Sequence, residues 1–189
     1  DHKKVNNGEN GLNTGGMGTF SPSEIYTDEL AKNIKENVLD KTLKGFQEDG
    51  LDFKGILFVG LMITEDGPKV LEYNVRFGDP ETQSVLFRLE TDLNKIISAV
   101  IDNKLKDIDI TYSDEQAICV MLTSGGYPES YEKGKVITGL DDLDDDIVVF
   151  HSGTKLVDGE IVTNGGRVIG ITAKAKNVKE AGEKVYENI

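Results

Sequence analysis

A carboxylate, an amide and a guanidinium recur at every second residue in the segment LEYNVRFGDPE, which covers residues 71–81. These groups belong to Glu72, Asn74 and Arg76. If the segment is a strand, its period of two places the three side chains on one face. Carboxylate and amide oxygens are ligands that Mg²⁺ accepts, and the guanidinium fork suits a carboxylate or a phosphate. The residues alone allow two interpretations: a metal-assisted site for an anionic substrate, or an exposed polar strand face with a surface ion pair.

A second candidate element is the glycine-rich stretch NTGGMGTFSP at residues 13–22. Because glycine lets the main chain approach a ligand closely, several backbone N–H groups here could face a phosphate or a carboxylate. The stretch lacks the Gly-Lys-Ser/Thr of a Walker A loop and the third glycine of a dinucleotide-binding loop. A plain flexible loop remains an equal alternative. For the upstream pair His2 and Lys3 the alternatives are a phosphate contact and a solvated terminus.

The elements that must position these residues are predicted from periodicity and from turn residues. Residues 1–26 are predicted to form a loop. A helix follows, capped by Thr27 and ended by Gly50. GILFVGLMIT and KVLEYNV then flank the turn sequence EDGP, which predicts a β-hairpin with the candidate metal ligands on its second strand.

Two short helices and a β-rich segment are predicted after the hairpin. Asp79 and Pro80 suit the N-cap and first position of one helix. TDLNKIISAVIDN forms the other, with an inward face made of Leu93, Ile96, Ile97 and Val100. Short strands are predicted over AICVMLT, KVITG, IVVFHSG, EIVTNG and RVIGITAKA, and Asn177 with Glu180 caps a last helix. The fold class is therefore α+β, with a domain boundary near residue 112 that separates residues 1–112 from residues 113–189.

Composition excludes several classes of protein. The 189 residues include 21 basic and 34 acidic side chains, a net charge of −13, which argues against a nucleic-acid partner. No apolar run approaches the roughly 20 residues of a membrane-spanning helix, so the sequence predicts a soluble protein. The single cysteine, Cys119, has no partner for a disulfide or a thiolate metal cluster and is predicted to be buried and inert.

Taken together, six stretches resemble the phosphoribosylamine–glycine ligase family of ATP-grasp enzymes of purine biosynthesis. They are DHK at residues 1–3, NTGGMGTFSP at 13–22, FKGILFVGLMIT at 53–64, LEYNVRFGDPETQ at 71–83, SGGYP at 124–128 and TNGGRV at 163–168. The stretches occur in the family's order and span the chain. The resemblance implies the second half of an ATP-grasp core, an antiparallel sheet with helices, followed by a small mixed β-rich C-terminal domain.

The resemblance also implies a reaction, its cofactor and its site residues. ATP would phosphorylate glycine, and 5-phosphoribosylamine would attack the glycyl phosphate to give glycinamide ribonucleotide, ADP and phosphate. Glu72 and Asn74 would bind Mg²⁺ or Mn²⁺, and Arg76 would be catalytic, contacting the transferred group or the substrate carboxylate. Substrate or nucleotide binding would fall to Asp1, His2, Lys3, Asn13, Thr14, Gly15, Gly16, Gly18 and Asp79, the last of these fitting better as a helix cap.

Two departures from the family pattern shape these expectations. GILFVGLMIT lacks the second metal-binding acid that many ATP-grasp enzymes carry on that strand, which should weaken metal binding without nucleotide. Relative to the family, the chain also lacks the N-terminal domain, the nucleotide lid and the end of the C-terminal domain. We therefore expect a cytoplasmic enzyme, monomeric at full length, of which these 189 residues are an inactive fragment. A non-catalytic metal- or nucleotide-binding module of the ATP-grasp type is the alternative.

Overall fold

Ten strands and five α-helices make up the fold in a computed structural model, which describes all 189 residues. The strands are Lys4–Asn6 (β1), Asn10–Asn13 (β2), Gly18–Ser21 (β3), Phe58–Thr64 (β4), Gly67–Asn74 (β5), Gln116–Thr123 (β6), Val148–His151 (β7), Thr154–Val157 (β8), Glu160–Thr163 (β9) and Arg167–Ala175 (β10). The α-helices are Asp28–Ile34 (α1), Asp40–Glu48 (α2), Glu81–Leu86 (α3), Leu93–Ile101 (α4) and Val178–Glu187 (α5). A π-helical segment, Lys35–Leu39, joins α1 to α2, and a 3₁₀ turn covers Leu105–Asp107.

The chain folds into two units that interleave along the sequence. Unit 1 consists of Asp1–Ser21, Asp79–Leu89 and Tyr112–Ile189, and unit 2 of Pro22–Gly78 and Glu90–Thr111. The first 21 residues therefore fold with the C-terminal part of the chain. The sequence boundary near residue 112 stays a prediction about domains.

An antiparallel sheet in the order β3-β6-β10-β7 forms the centre of unit 1. Neither face of its middle strands is exposed, since β10 is buried along most of its length and β6 alternates between buried and half-buried side chains. On one face Ile169, Ile171 and Ala173 pack with Val185 of α5. On the other, the buried Thr19 hydroxyl of β3 bonds to the Pro80 carbonyl oxygen (2.9 Å) and lies 3.0 Å from the Ser84 hydroxyl. The hydroxyls of Thr19 and Ser84 are thus paired, whereas Gln83 Oε1 of α3 and Thr172 Oγ1 of β10 are buried without a hydrogen-bond partner.

Replacing Ile171 with alanine is expected to destabilise unit 1 by about 2–5 kcal/mol, because this β10 side chain is 2% exposed and its removal leaves a cavity. Leu156→Ala is the matched control, since that β8 side chain is 68% exposed and should change stability by less than about 0.5 kcal/mol. Urea denaturation followed by circular dichroism measures both. Equal losses in the two variants would contradict this assignment of the core.

Unit 2 contains the helical segment 28–48, the hairpin β4–β5 and α4. Thr27 caps α1 by accepting a hydrogen bond from the Leu30 backbone N–H (3.2 Å), and Gly50 adopts the positive φ that ends the segment. Ile34 and Val38 are buried. The hairpin predicted from the EDGP turn is confirmed, with Phe58 opposite Asn74 and Gly60 opposite Glu72.

Several sequence expectations are wrong in detail. Residues 1–26 hold β1, β2 and β3 rather than a loop, since these short polar strands form through pairing with partners that no local pattern reveals. KVITG contributes only the isolated bridge between Val136 and Val162, whereas β8 forms where no strand was predicted. In α4 the buried residues are Ile96 and Ala99, while Ile97 is exposed.

The predicted cap of the last helix is confirmed, because Asn177 caps α5 by accepting a hydrogen bond from the Glu180 backbone N–H at 2.9 Å.

Candidate functional site

The hairpin of unit 2 carries the candidate metal ligands. Glu72 and Asn74 lie two residues apart on β5, and the Glu72 side chain lies over Gly60 of β4, where an added Cβ would come within 3.0 Å of the Glu72 Cγ. Glycine opposite Glu72 therefore leaves room for that side chain. The Glu72 carboxylate is exposed and makes no hydrogen bond or ion pair within the chain. Its oxygens are free to bind a ligand.

Arg76 departs from the predicted geometry. The strand ends at Asn74, so Arg76 lies in the bend that follows rather than on the strand face. Its Nη1 donates to the Phe77 carbonyl oxygen (2.8 Å) and its Nη2 to Asn74 Oδ1 (3.4 Å). The second contact keeps the guanidinium beside the amide ligand. The other guanidinium N–H groups have no partner within the chain and face solvent on an exposed residue.

The apolar residues that alternate with these ligands are also solvent-exposed. Leu71 is 63% exposed, Tyr73 47% and Val75 72%. Tyr73 alone of the three has a polar contact, 2.8 Å from the Thr42 hydroxyl of α2. Within these 189 residues water therefore reaches both faces of the second hairpin strand.

Unit 1 brings the N-terminal residues and the glycine-rich stretch together. The His2 N–H donates to the Gly18 carbonyl oxygen (2.9 Å) and the Met17 N–H to that of His2 (2.7 Å). The Thr14 backbone N–H and hydroxyl both donate to the Lys3 carbonyl oxygen, at 2.7 and 2.9 Å. Asn13 pairs with Lys4 across β1 and β2. These bonds fix residues 2–4 against residues 13–18.

The glycines of this stretch serve packing. A Cβ at Gly16 would lie 2.5 Å from the Pro80 Cδ, and one at Gly18 would lie 2.6 Å from the Cys119 carbonyl oxygen. The Gly16 N–H already donates to the Thr14 hydroxyl (3.0 Å), and the Gly15 N–H to the Tyr127 hydroxyl (2.9 Å). The Gly15 and Gly16 amides, two of those that were expected to face a phosphate, are therefore bonded within the protein. Binding of substrate by this stretch stays a prediction.

Asp79 is not the helix cap that the sequence suggested. Pro80 takes the N-cap position of α3 and supplies no side-chain cap. The Asp79 carboxylate instead accepts from Arg167 Nη2 at 2.7 Å and from Gln83 Nε2 at 3.3 Å. The carboxylate therefore bonds to a cationic guanidinium from a distant segment rather than to the backbone N–H groups that begin α3. A substrate contact of Asp79 stays a prediction.

Sequence reasoning assigned no role to Tyr127 and Arg167. They occur in SGGYP and TNGGRV, two of the stretches that carry the family resemblance, and both side chains contact Gly15. Cys119 is fully buried as predicted, and burial raises the pKa of its thiol to about 11, so it is no nucleophile at neutral pH. No group of three or more His, Cys, Asp or Glu side chains is arranged to hold a metal ion, and no helix is long and apolar enough to cross a membrane.

Comparisons with known proteins match nearly all of the chain. Residues 1–82 match the phosphoribosylglycinamide synthetase ATP-grasp (A) domain, and residues 117–189 match the phosphoribosylglycinamide synthetase C domain. A bifunctional purine biosynthetic protein from Pichia angusta is 48% identical over 100% of this chain and 24% of its own length. A phosphoribosylamine–glycine ligase from Brucella melitensis biotype 1 is 45% identical over 99% of this chain and 44% of its own length.

A solved structure is similar as well. The crystal structure of phosphoribosylamine–glycine ligase from Thermotoga maritima has a TM-score of 0.87 and 36% identity, over 99% of this chain and 46% of that one. The chain thus spans less than half the length of these relatives. The predicted α+β fold of the ATP-grasp type and the family inferred from six short stretches are confirmed. With both of its domain matches in family order, the chain belongs to the phosphoribosylglycinamide synthetase family.

Proposed function

We propose that this chain belongs to an ATP-dependent ligase that joins glycine to 5-phosphoribosylamine, through glycyl phosphate, to give glycinamide ribonucleotide, ADP and phosphate. The observation that carries the proposal is 45% identity to a phosphoribosylamine–glycine ligase over 99% of the chain. The exposed oxygens of Glu72 on the hairpin and the free donors of Arg76 in the bend that follows it are what a phosphoryl transfer between two anions needs.

The donor set of the hairpin fits a divalent cation, Mg²⁺ or Mn²⁺. Glu72 offers an unpartnered carboxylate and Asn74 an amide oxygen whose only contact is a long bond from Arg76. Two protein ligands suffice for Mg²⁺, which commonly keeps several waters and takes its remaining ligands from substrate phosphates. When bound, such a cation neutralises negative charge on the phosphates of ATP.

The other candidate residues of the chain have separate roles in this proposal. Arg76 binds the transferred phosphoryl group or the glycine carboxylate through its free N–H groups, and Asn74 orients that guanidinium. In unit 1, residues 1–3 and 13–18 border the substrates, with their backbone held by internal hydrogen bonds. Donors and a loop that are already held in place lower the activation barrier of phosphoryl transfer, because they do not have to reorganise as charge moves during the reaction.

A second candidate function is a metal- or nucleotide-binding module of the ATP-grasp type that does no chemistry. It is favoured by the small donor set, because no cluster of three metal-binding acids, histidines or cysteines is present. Arg76 argues against it, since a metal site alone does not need a guanidinium with free donors beside its ligands.

The test is an ADP-release assay on the full-length gene product that includes this chain, with ATP, Mg²⁺, glycine and freshly generated phosphoribosylamine. We expect release that requires both glycine and the amine. Binding of ATP without release would favour the module, and release with other amino acids but not glycine would contradict the substrate assignment.

The proposal includes three further expectations of the sequence. The enzyme is monomeric at full length, acts in the cytoplasm and has only small-molecule partners. The net charge of −13 supports the absence of a nucleic-acid partner, because phosphate binding needs clustered positive charge.

A further inference from the structure

Arg167, the first residue of β10, makes three hydrogen bonds to segments far away in the sequence. Its Nη1 donates to the carbonyl oxygens of Gly15 (2.9 Å) and Asp79 (3.0 Å), and its Nη2 donates to Asp79 Oδ2 (2.7 Å). The side chain is only 17% exposed. All three acceptors lie in the part of unit 1 contributed by the ATP-grasp segment of the sequence, whereas Arg167 lies in the C-domain segment.

Tyr127 completes the contact from the same C-domain segment. Its hydroxyl accepts the Gly15 N–H at 2.9 Å, so both backbone polar groups of Gly15 are bound by side chains more than 110 residues away. Glycine leaves room for the guanidinium here, because an added Cβ at Gly15 would lie 3.0 Å from the Arg167 Cζ and would force that side chain to shift. Two distant side chains thus hold a single glycine of the candidate substrate loop.

Hydrogen bonds and close packing between the two flanking segments hold Tyr127 and Arg167 near each other. Ser124 N–H donates to the Gly166 carbonyl oxygen and its hydroxyl to that of Gly165, both at 2.8 Å, which ties the turn before Tyr127 to the residues before Arg167. A Cβ at Gly166 would overlap the Tyr127 ring. A register shift between Arg167 and Ile169 interrupts the pairing of β10 with β6, and such bulges re-aim a side chain.

The hydrogen bonds of Arg167 differ from those of an arginine that only stabilises the fold. Arg88 of the same unit also makes three bonds, to the carbonyl oxygens of Glu115 and Ser113 and to the Ser21 hydroxyl, but none reaches a candidate substrate residue. The bonds of Arg167 end on Gly15 and Asp79, two of the residues predicted to bind substrate. The planar fork divides these bonds between two nitrogens, with Nη1 on two carbonyl oxygens and Nη2 on the carboxylate, and the single ammonium of a lysine does not reproduce that spacing.

We propose that Arg167 and Tyr127 are positioning residues: side chains of the C domain that hold Gly15 and Asp79 of the ATP-grasp segment in the arrangement that binds substrate. This inference rests on the proposed function for its catalytic consequence. The contact itself is independent of any activity. The C domain then has a role in the reaction although neither side chain is assigned to touch substrate.

The first experiment measures hydrogen exchange of residues 13–18 in the full-length gene product. Tyr127→Phe removes the acceptor of the Gly15 N–H and keeps the ring, so that amide should exchange about tenfold faster. Arg167→Lys should speed exchange across the loop. Arg88→Lys, the matched control, should leave the loop unchanged while it loses comparable thermal stability. Unchanged loop exchange in both Tyr127→Phe and Arg167→Lys would overturn the proposal.

The second experiment measures steady-state kinetics of the same variants. Arg167→Lys should lower kcat/KM for glycine or phosphoribosylamine at least tenfold, and Arg88→Lys should stay within twofold of the unmodified enzyme. If the unmodified enzyme lacks ligase activity, the proposed function fails and the exchange result alone decides the positioning. If it is active and Arg167→Lys retains kcat/KM within twofold, the positioning role is overturned.

Discussion

In the full-length gene product, Glu72→Gln is expected to lower kcat at least about 10²-fold at limiting Mg²⁺, and Asn74→Ala to act in the same direction. Glu72→Gln replaces an anionic oxygen ligand with a neutral amide, and Asn74→Ala removes an oxygen ligand. The contribution of both ligands is expected to be largest in the transition state of phosphoryl transfer. The fold should be unaffected, because Glu72 is exposed and makes no bond within the chain. Initial rates of ADP release across a Mg²⁺ titration measure the effect.

Glu65→Gln is the matched control for this experiment. Glu65 is exposed at the turn of the same hairpin, so the substitution removes the same charge at a distance from the ligand pair. We expect its rate to stay within about twofold of the unmodified enzyme. Unchanged rates in both Glu72→Gln and Asn74→Ala at limiting Mg²⁺ would refute their assignment as metal ligands.

The 189-residue chain alone is expected to show no ligase turnover and at most weak, metal-dependent nucleotide binding. The second hairpin strand is open to water on both faces, with Leu71 63% exposed on one and Glu72 exposed on the other, so solvent screens the charges there. Positioning of two substrates needs surface on both sides of them, and this chain spans 44% of the length of the Brucella relative. Loss of enclosure and positioning together removes most of the rate enhancement.

The measurement compares the isolated chain and the full-length gene product at equal concentration with ATP, Mg²⁺, glycine and phosphoribosylamine. Circular dichroism of the isolated chain establishes that it is folded, so that inactivity is not a result of unfolding. Turnover by the isolated chain near that of the full-length protein would mean that the active site lies wholly within these residues and that water-exposed Glu72 and Arg76 suffice.

The local signals in the sequence were reliable where a residue acts on its near neighbours. EDGP predicted the β4–β5 hairpin, because Gly67 accepts the positive φ that the turn requires. Thr27 and Asn177 cap their helices because a cap bonds to a backbone amide three residues away. The same local logic placed Glu72 and Asn74 two residues apart on one strand, and the family resemblance supplied their proposed chemistry.

Contacts between residues far apart in the sequence determine side-chain partners and packing that no local pattern predicts. Asp79 looked like a cap from its neighbour Pro80, but the guanidinium of Arg167, 88 residues further along the chain, holds its carboxylate. The glycines of residues 15–18 suggested a loop that faces a phosphate, which stays a prediction, and no local pattern showed that they also pack closely against Pro80, Arg167 and β6. The spacing of a residue from its near neighbours predicts a hairpin turn or a helix cap, but it did not predict the pairing of β1, β2 and β3. The partners of its charge and the atoms that crowd its Cα come from distant segments, which only the folded chain brings together.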